Sequence, residues 1–221
     1  MGDDLARLPA QVGWKMTVTL YGIARSRASR CMWMLAECGQ PYTHVPIAPK
    51  DAATDARITA LNPNGRVPVL TDGSLALFES FAINLHVAKR YGGALGPANA
   101  DEDSLAAMWT LWAAADVEPD AHHVLWHTLT LPPEQQDAAV REGAIKRLQR
   151  PLAALAATLE KGGGWIMGGR FTVADLNAAC AVFYLRGAPD LLAAFPAVQA
   201  WYARCTAREG FREMMRLRGD S

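Results

Sequence analysis

The sequence predicts a compact α/β unit followed by an all-helical bundle, on three observations. Residues 16–93 alternate short β-branched runs with turn residues and helical stretches. From Leu105 onward the chain is rich in Ala, Leu and Trp, with helical periodicity and no strand signal. Between the two, Gly96-Pro97-Ala98-Asn99-Ala100-Asp101 is polar and turn-forming. The expected organisation is therefore an extension over residues 1–15, an α/β domain over 16–93, a linker over 94–104 and a helical domain over 105–221.

In the first half, residues 17–21 (Thr-Val-Thr-Leu-Tyr) read as a strand ended by Gly22. A helix over 26–38 follows, with Ser26 suited to the N-cap, Cys31, Met34, Leu35 and Cys38 on one face, and Gly39 as the stop. A second strand over 42–47 leads into an irregular, partly helical stretch to Leu61, and Asn62-Pro63-Asn64-Gly65 is a turn. Two apolar runs, 67–70 and 75–78, flank Thr71-Asp72-Gly73-Ser74, a strong local hairpin signal. Ser80 caps a last helix that stops near Tyr91-Gly92-Gly93, so the order is β-α-β-α-β-β-α.

The second half opens on a helix with Trp109, Trp112, Ala113 and Val117, and, past Pro119, Val124 and Trp126. A helix from Glu134 runs toward Glu160, with Pro151 expected to kink or split it and three glycines at 162–164 to end it. Phe171-Thr172-Val173-Ala174-Asp175-Leu176 is a helix start: Thr172 at N-cap, Asp175 at N3, Phe171 and Leu176 as the staple. Pro196 opens the next helix at N1.

Composition excludes several function classes. Of 221 residues 51% are hydrophobic and 20% charged, and 22 Lys and Arg balance 22 Asp and Glu, so no basic excess points to nucleic acid. The longest apolar stretch, 105–117, is too short for a membrane span and carries Asp116; Asp3 and Asp4 argue against a signal peptide. Four cysteines (31, 38, 180 and 205) make neither a disulfide framework nor a metal site by spacing. A cytoplasmic protein without a metal, a membrane or a nucleic-acid partner is expected.

Three segments bring polar groups to one edge of the α/β unit. Ser26 lies at the head of a helix; with no histidine nearby in sequence it is a poor nucleophile, but it can donate a hydrogen bond to an anion. The helix N-terminus and Arg25, Arg27 or Arg30 would assist, although a simple helix cap accounts for Ser26 equally well. Val67 precedes Pro68 and is pushed toward extended geometry, offering its N–H and C=O to a peptide alongside. Glu79 and Ser80 head a helix, where free amides and the hydroxyl suit a carboxylate and Glu79 an ammonium.

Taken together, the Ser-headed helix, Asn-Pro-x-Gly-Arg-Val-Pro-Val-Leu, the Asp-Gly hairpin, Glu79-Ser80 and Phe-Thr-Val-Ala-Asp-Leu resemble the cytosolic glutathione transferase family, over about 16–212. The resemblance is to serine-type, bacterial or theta-like members. It implies a thioredoxin-like N-terminal domain with Pro68 cis, an all-α C-terminal bundle, a homodimer, and glutathione as co-substrate. It places the catalytic hydroxyl on Ser26, the glutathione backbone along Val67 and Pro68, its γ-glutamyl end on Glu79 and Ser80, and its glycine carboxylate near Lys50 and Arg66. The first helix of the second half helps to form the family's electrophile site, so Trp109, Trp112, Ala113 and Asp116 are the residues expected to line it, with Trp126, His122 and His123 on or after the same helix; a core or dimer-interface role is the alternative for the aromatic stripe and a surface position for the two histidines. Theta-like members place an acid on this helix where Ala107 falls here, with Asp103 a turn away. Conjugation of small hydrophobic electrophiles is the expected reaction; a peroxidase, dehalogenase or isomerase would use the same site. Ser26-Arg27-Ala28 departs from the Ser-Ser-Cys of the maleylacetoacetate isomerase branch. A non-catalytic interaction protein and an apolar-ligand store are the remaining readings.

Overall fold

The computed structural model describes residues 18–219; the expected extension over 1–15 lies outside them. Strand β1 (Val18–Tyr21) pairs parallel with β2 (Tyr42–Val45) and antiparallel with β3 (Val69–Asp72), which pairs antiparallel with β4 (Leu75–Phe78). The sheet order is β2-β1-β3-β4. Helix α1 (Ala28–Glu37) crosses between β1 and β2, α2 (Ala56–Leu61) between β2 and β3, and α3 (Ser80–Tyr91) follows β4. The element order read from the sequence is the order observed.

Two local details differ from the reading. Helix α1 begins at Ala28 rather than at Ser26, because tight i→i+3 bonds (Ser26 N–H to the Ile23 carbonyl, Ser29 N–H to the Ser26 carbonyl) occupy its approach. In the hairpin, Asp72 is the last residue of β3 and the two-residue loop is Gly73-Ser74, with Gly73 at φ +62°. Freed from the turn, the Asp72 carboxylate is buried and accepts from His86 Nε2 at 2.9 Å and from the Tyr91 hydroxyl at 2.8 Å.

The helical half starts inside the span expected as linker, with α4 (Ala100–Trp112) capped by Asn99, whose side chain accepts from Glu102 N–H. It widens into a π-turn over Ala113–Val117, resumes as α5 (Glu118–Leu125) and widens again over Trp126–Thr130. Pro119 explains the first widening: it has no N–H, and in an α-helix its ring would strike the carbonyl of Ala115. The Glu118 N–H accordingly reaches the Ala113 carbonyl, five residues back. Helix α6 (Ala138–Lys161) starts at an Asp137 cap, later than expected from Glu134, and continues through Pro151. It is followed by α7 (Val173–Val182), α8 (Pro189–Ala193), α9 (Pro196–Thr206) and α10 (Glu209–Arg218).

All ten residues of α7 are buried, so its start cannot draw on water. The capping box forms: Asp175 accepts from Thr172 N–H at 2.9 Å, and its other oxygen from Ile166 N–H and Trp201 Nε1, each at 2.9 Å. The core runs without a break from the sheet through α1 and α3 into α4–α7 and α9, and α10 lies against α1, where Arg208 donates to Glu37 at 2.7 Å.

Candidate functional site

The site forms where the carboxyl-terminal end of β1 meets the heads of α1 and α3 and the flank of α5. Gly22 ends β1 at φ +131°, a left-handed conformation that an L side chain adopts only with strain. A Cβ there would lie 2.8 Å from Ala28 Cβ and 3.3 Å from Val67 Cβ, so glycine allows the Ser26 turn and the Val67 segment to approach each other.

Half-buried Ser26 has its Oγ bracketed by backbone: it accepts from Ala28 N–H at 3.1 Å and donates to the Ile23 carbonyl at 2.7 Å. The hydroxyl is thus held at the N-terminal end of α1. Across from it, the Val67–Pro68 bond is cis, and among the described residues neither the N–H nor the C=O of Val67 has a protein partner. The Arg66 carbonyl, by contrast, is held by Asn62 Nδ2 at 2.8 Å. Glu79 is exposed and sits at φ +70°, ψ +110°, outside the allowed regions for a non-glycine residue. Ser80, the first residue of α3, is buried.

Two adjoining cavities meet here and share Arg27, Arg30, Arg66 and Val67. The smaller, about 270 Å³, is lined by Asn62, Pro68, Glu79, Ser80 and Glu118 besides those four. The larger, about 640 Å³, holds Ser26 and is walled by aromatic groups, among them Trp33, His122, Trp126, Phe183, Tyr184 and Phe211.

Between the cavities lies a charge cluster that ties the two halves of the chain together. Arg30 is buried; its Nη1 donates to Glu118 Oε2 at 2.8 Å and to Ser80 Oγ at 3.3 Å, and its Nη2 to the Tyr184 hydroxyl at 3.0 Å. Phe81 faces the same guanidinium at 4.5 Å. Glu118 also accepts from Arg27 Nε at 2.8 Å. Burial alone would raise the Glu118 carboxyl, but Arg30 and Arg27 outweigh it and hold it below the ordinary carboxylate range. Burial likewise works against the Arg30 charge, and Tyr184 and Glu118 more than offset it. For His122 burial comes first and nearby Arg27 adds to it, lowering its pKa so that the ring is neutral at pH 7.

The residues expected from sequence therefore divide. Ser26, Arg66, Val67, Pro68, Glu79 and Ser80 come together around the two cavities. Lys50 stands on the exposed turn beyond Pro49, and it is Pro49 that lines the larger cavity. The expected electrophile residues are corrected: Trp109 and Ala113 are buried in the core, and Trp112 and Asp116 border a separate depression with Asp120, Arg147 and Arg150. None of the four lines the cavity at Ser26. The face continuous with the cavity is carried instead by residues that follow the π-turn, His122, Leu125 and Trp126. Asp103 pairs with Lys89 at 2.8 Å. Glu118 and Tyr184 were not expected; the one sequence signal was an acid directly before a proline inside an apolar helix. Cys31 is buried with its thiol pushed up by burial, as core packing requires.

A four-stranded mixed sheet with a cis-proline edge facing a helix head, joined to a helical domain, defines a thioredoxin-like fold with a ligand site between two domains. Residues 16–89 match the family model for the glutathione S-transferase N-terminal domain, and residues 138–204 that for the C-terminal domain. The chain is 33% identical to glutathione S-transferase 3 of Zea mays over 207 residues, covering 88% of this chain and 91% of that one. It is 30% identical to GstB of Escherichia coli over 209 residues, covering 90% and 98%. Among solved structures, glutathione S-transferase I from maize in complex with an atrazine glutathione conjugate superposes with TM-score 0.82 at 29% identity, covering 93% of this chain and 99% of that one. A theta-class enzyme of Xanthomonas axonopodis with glutathione bound gives 0.77 at 27%, covering 90% and 96%. The chain belongs to the glutathione S-transferase family. Relatives come from plants as well as bacteria, and they do not single out the theta-like subclass expected from sequence.

Proposed function

We infer that the protein is a glutathione transferase of the serine type that ionises the glutathione thiol at Ser26 and directs it at electrophiles held in the larger cavity. The observation that carries this is the opposition of the Ser26 hydroxyl, at the head of α1, to a Val67 edge whose backbone groups have no protein partner among the described residues. A peptide lying along Val67 pairs with those groups as an added strand. Its γ-glutamyl carboxylate then meets Ser80 and the amides heading α3, its ammonium meets Glu79, and its glycine carboxylate extends toward Arg66 and Lys50.

A free thiol of pKa about 8.5 is a few per cent ionised at pH 7, and lowering it by about two units takes roughly 2.7 kcal/mol. A hydrogen bond from Ser26 to the thiolate is worth about 1.5–3 kcal/mol, less about 1 kcal/mol for the bond to the Ile23 carbonyl that the hydroxyl gives up. The N-terminus of α1 adds about 0.3–1 kcal/mol. The arginines that line the cavity supply the remainder as unlike charge. The thiolate then forms the carbon–sulfur bond.

A homodimer in the cytoplasm is part of the same reading. Leu105, Met108 and Leu111 on α4 and Leu75 and Phe78 on β4 expose apolar side chains suited to a second copy, and four free cysteines suit a reducing compartment. Among the described residues no cluster of three metal-ligating side chains occurs, and none is needed for this chemistry. Among the described residues no helix is long and apolar enough to cross a membrane.

The test is an ultraviolet difference titration of glutathione bound to wild type and to Ser26→Ala. Wild type should form thiolate near neutrality, and the variant should require a pH higher by one unit or more, with kcat/KM lowered about 10- to 100-fold, the value of one charged hydrogen bond. Glutathione that binds and remains a thiol in wild type overturns the mechanism.

A further inference from the structure

Tyr184 lies in the tight turn that follows α7 (residues Phe183–Gly187), on the wall of the larger cavity. Its ring is half-buried against His122, with ring centres 5.1 Å apart. The hydroxyl accepts from Arg30 Nη2 at 3.0 Å, and a phenol has one proton of its own to donate. Among the described residues that proton has no acceptor, although Tyr184 borders the cavity that holds Ser26. The ring cannot easily swing away, because Arg30 is fixed by Glu118, Ser80 and the face of Phe81. A hydrogen bond accepted from a cation also polarises the O–H that remains. The result is a preorganised donor beside the cavity with no acceptor among the described residues.

We propose that Tyr184 is a second catalytic residue, donating its hydrogen bond to negative charge that develops on the electrophile, and that it thereby selects electrophiles whose reacting carbon is conjugated to an oxygen acceptor, such as enals and enones. The proposal rests on the transferase reading above. In the step it serves, the thiolate forms a bond to the β-carbon and the C=C electron pair moves through the α-carbon onto the carbonyl oxygen. Tyr184 donates to that enolate oxygen while it carries the charge. The α-carbon then takes a proton from water, replacing the one released when the thiol ionised. The sum is addition of S–H across a double bond, with nothing oxidised and no leaving group. A displacement on an alkyl halide puts its charge on the departing halide instead, and gains nothing from a donor placed for a conjugated oxygen.

The experiment compares wild type and Tyr184→Phe on trans-2-nonenal and on benzyl bromide, with thermal melting to verify folding and the glutathione difference titration run in parallel. Tyr184→Phe should lower the ratio of kcat/KM for the enal to that for the bromide by about tenfold. That is below the 10²–10³ typical of a buried oxyanion donor, because water can partly replace a half-buried phenol. The loss should fall on kcat rather than on the KM for glutathione. Equal losses on both electrophiles, or no loss on either, overturn the proposal, since a structural role for the phenol would lower both together. So does a wild type that ionises glutathione yet does not turn over the enal. Absence of thiolate in wild type instead sinks the transferase reading, so the two failures are distinct.

Discussion

Replacing Glu118 by glutamine isolates what the charge between the two cavities contributes. The carboxylate accepts from Arg30 Nη1 and from Arg27 Nε, each at 2.8 Å, and its side chain is 10% exposed. The Arg27 side chain is 49% exposed, so its pairing is screened and contributes little. Arg30, at 6%, is different: without Glu118 it is a guanidinium out of water facing two hydroxyls and a ring. Removing one partner of a buried pair costs about 3–5 kcal/mol, and because the amide oxygen of glutamine still accepts one bond the lower end applies, about 3 kcal/mol. With a urea m-value near 3 kcal/mol/M for a chain of this size, the midpoint should fall by about 1 M, read by tryptophan fluorescence. The pH dependence gives a second check. The Glu118 carboxyl is held below its ordinary value in the folded protein, so its contribution is complete above the ordinary carboxylate pKa and is lost as pH falls through the folded value. The gap between wild type and Glu118→Gln should therefore be constant from pH 6 to 8 and narrow below about pH 4. A midpoint within about 0.2 M of wild type, or a gap unchanged at acid pH, refutes the reasoning. Arg30→Met combined with Glu118→Leu should recover most of the loss, since no buried charge is then left without its partner and the half-exposed Arg27 is solvated.

Other outcomes follow from single residues. Glu79→Gly relieves a positive-φ conformation that costs about 1–3 kcal/mol, less about 1 kcal/mol for the greater freedom of glycine in the unfolded chain. It should leave the melting temperature equal to or above wild type while raising the KM for glutathione at least tenfold; unchanged KM would remove Glu79 from the site. His122, its pKa lowered by burial and by Arg27 with Glu118 opposing, should titrate below 6.5 by proton NMR, and lower still in Glu118→Gln. A midpoint that rises in that variant would contradict the placement of the ring.

The strands and their order were legible because turn chemistry punctuates them: Gly22, the Asn62–Gly65 turn and Gly73 stand where the chain must reverse. The start of α7 was legible for a similar reason, since a capping box is local and its residues lie within six positions of one another. Around the cavities, the residues that act through backbone position (Ser26, Val67, Pro68, Ser80) could be read from the chain. Those that act through contacts between distant segments could not. Glu118 meets Arg30 across 88 residues of sequence and Tyr184 meets it across 154, and neither has a local pattern that distinguishes it from surface charge or core aromatic. Trp109, Trp112, Ala113 and Asp116 miss the electrophile wall because all four lie before Glu118, and the residues that line it follow the stretch where the helix departs from period 3.6.

That departure has a bearing on how the chain can change over time. A π-turn holds one residue more than the α-turn it replaces, so the alanine-rich stretch before Glu118 measures out the rotation of everything after it. Each residue of an α-helix turns the chain by about 100°. Because Pro119 keeps the turn wide, loss of one alanine there would swing the Glu118 carboxylate and the His122 ring about a quarter turn off the cavities, although no residue that touches either cavity had been altered. In this segment length, more than composition, is under constraint: alanines can be exchanged for other small residues, but not counted differently.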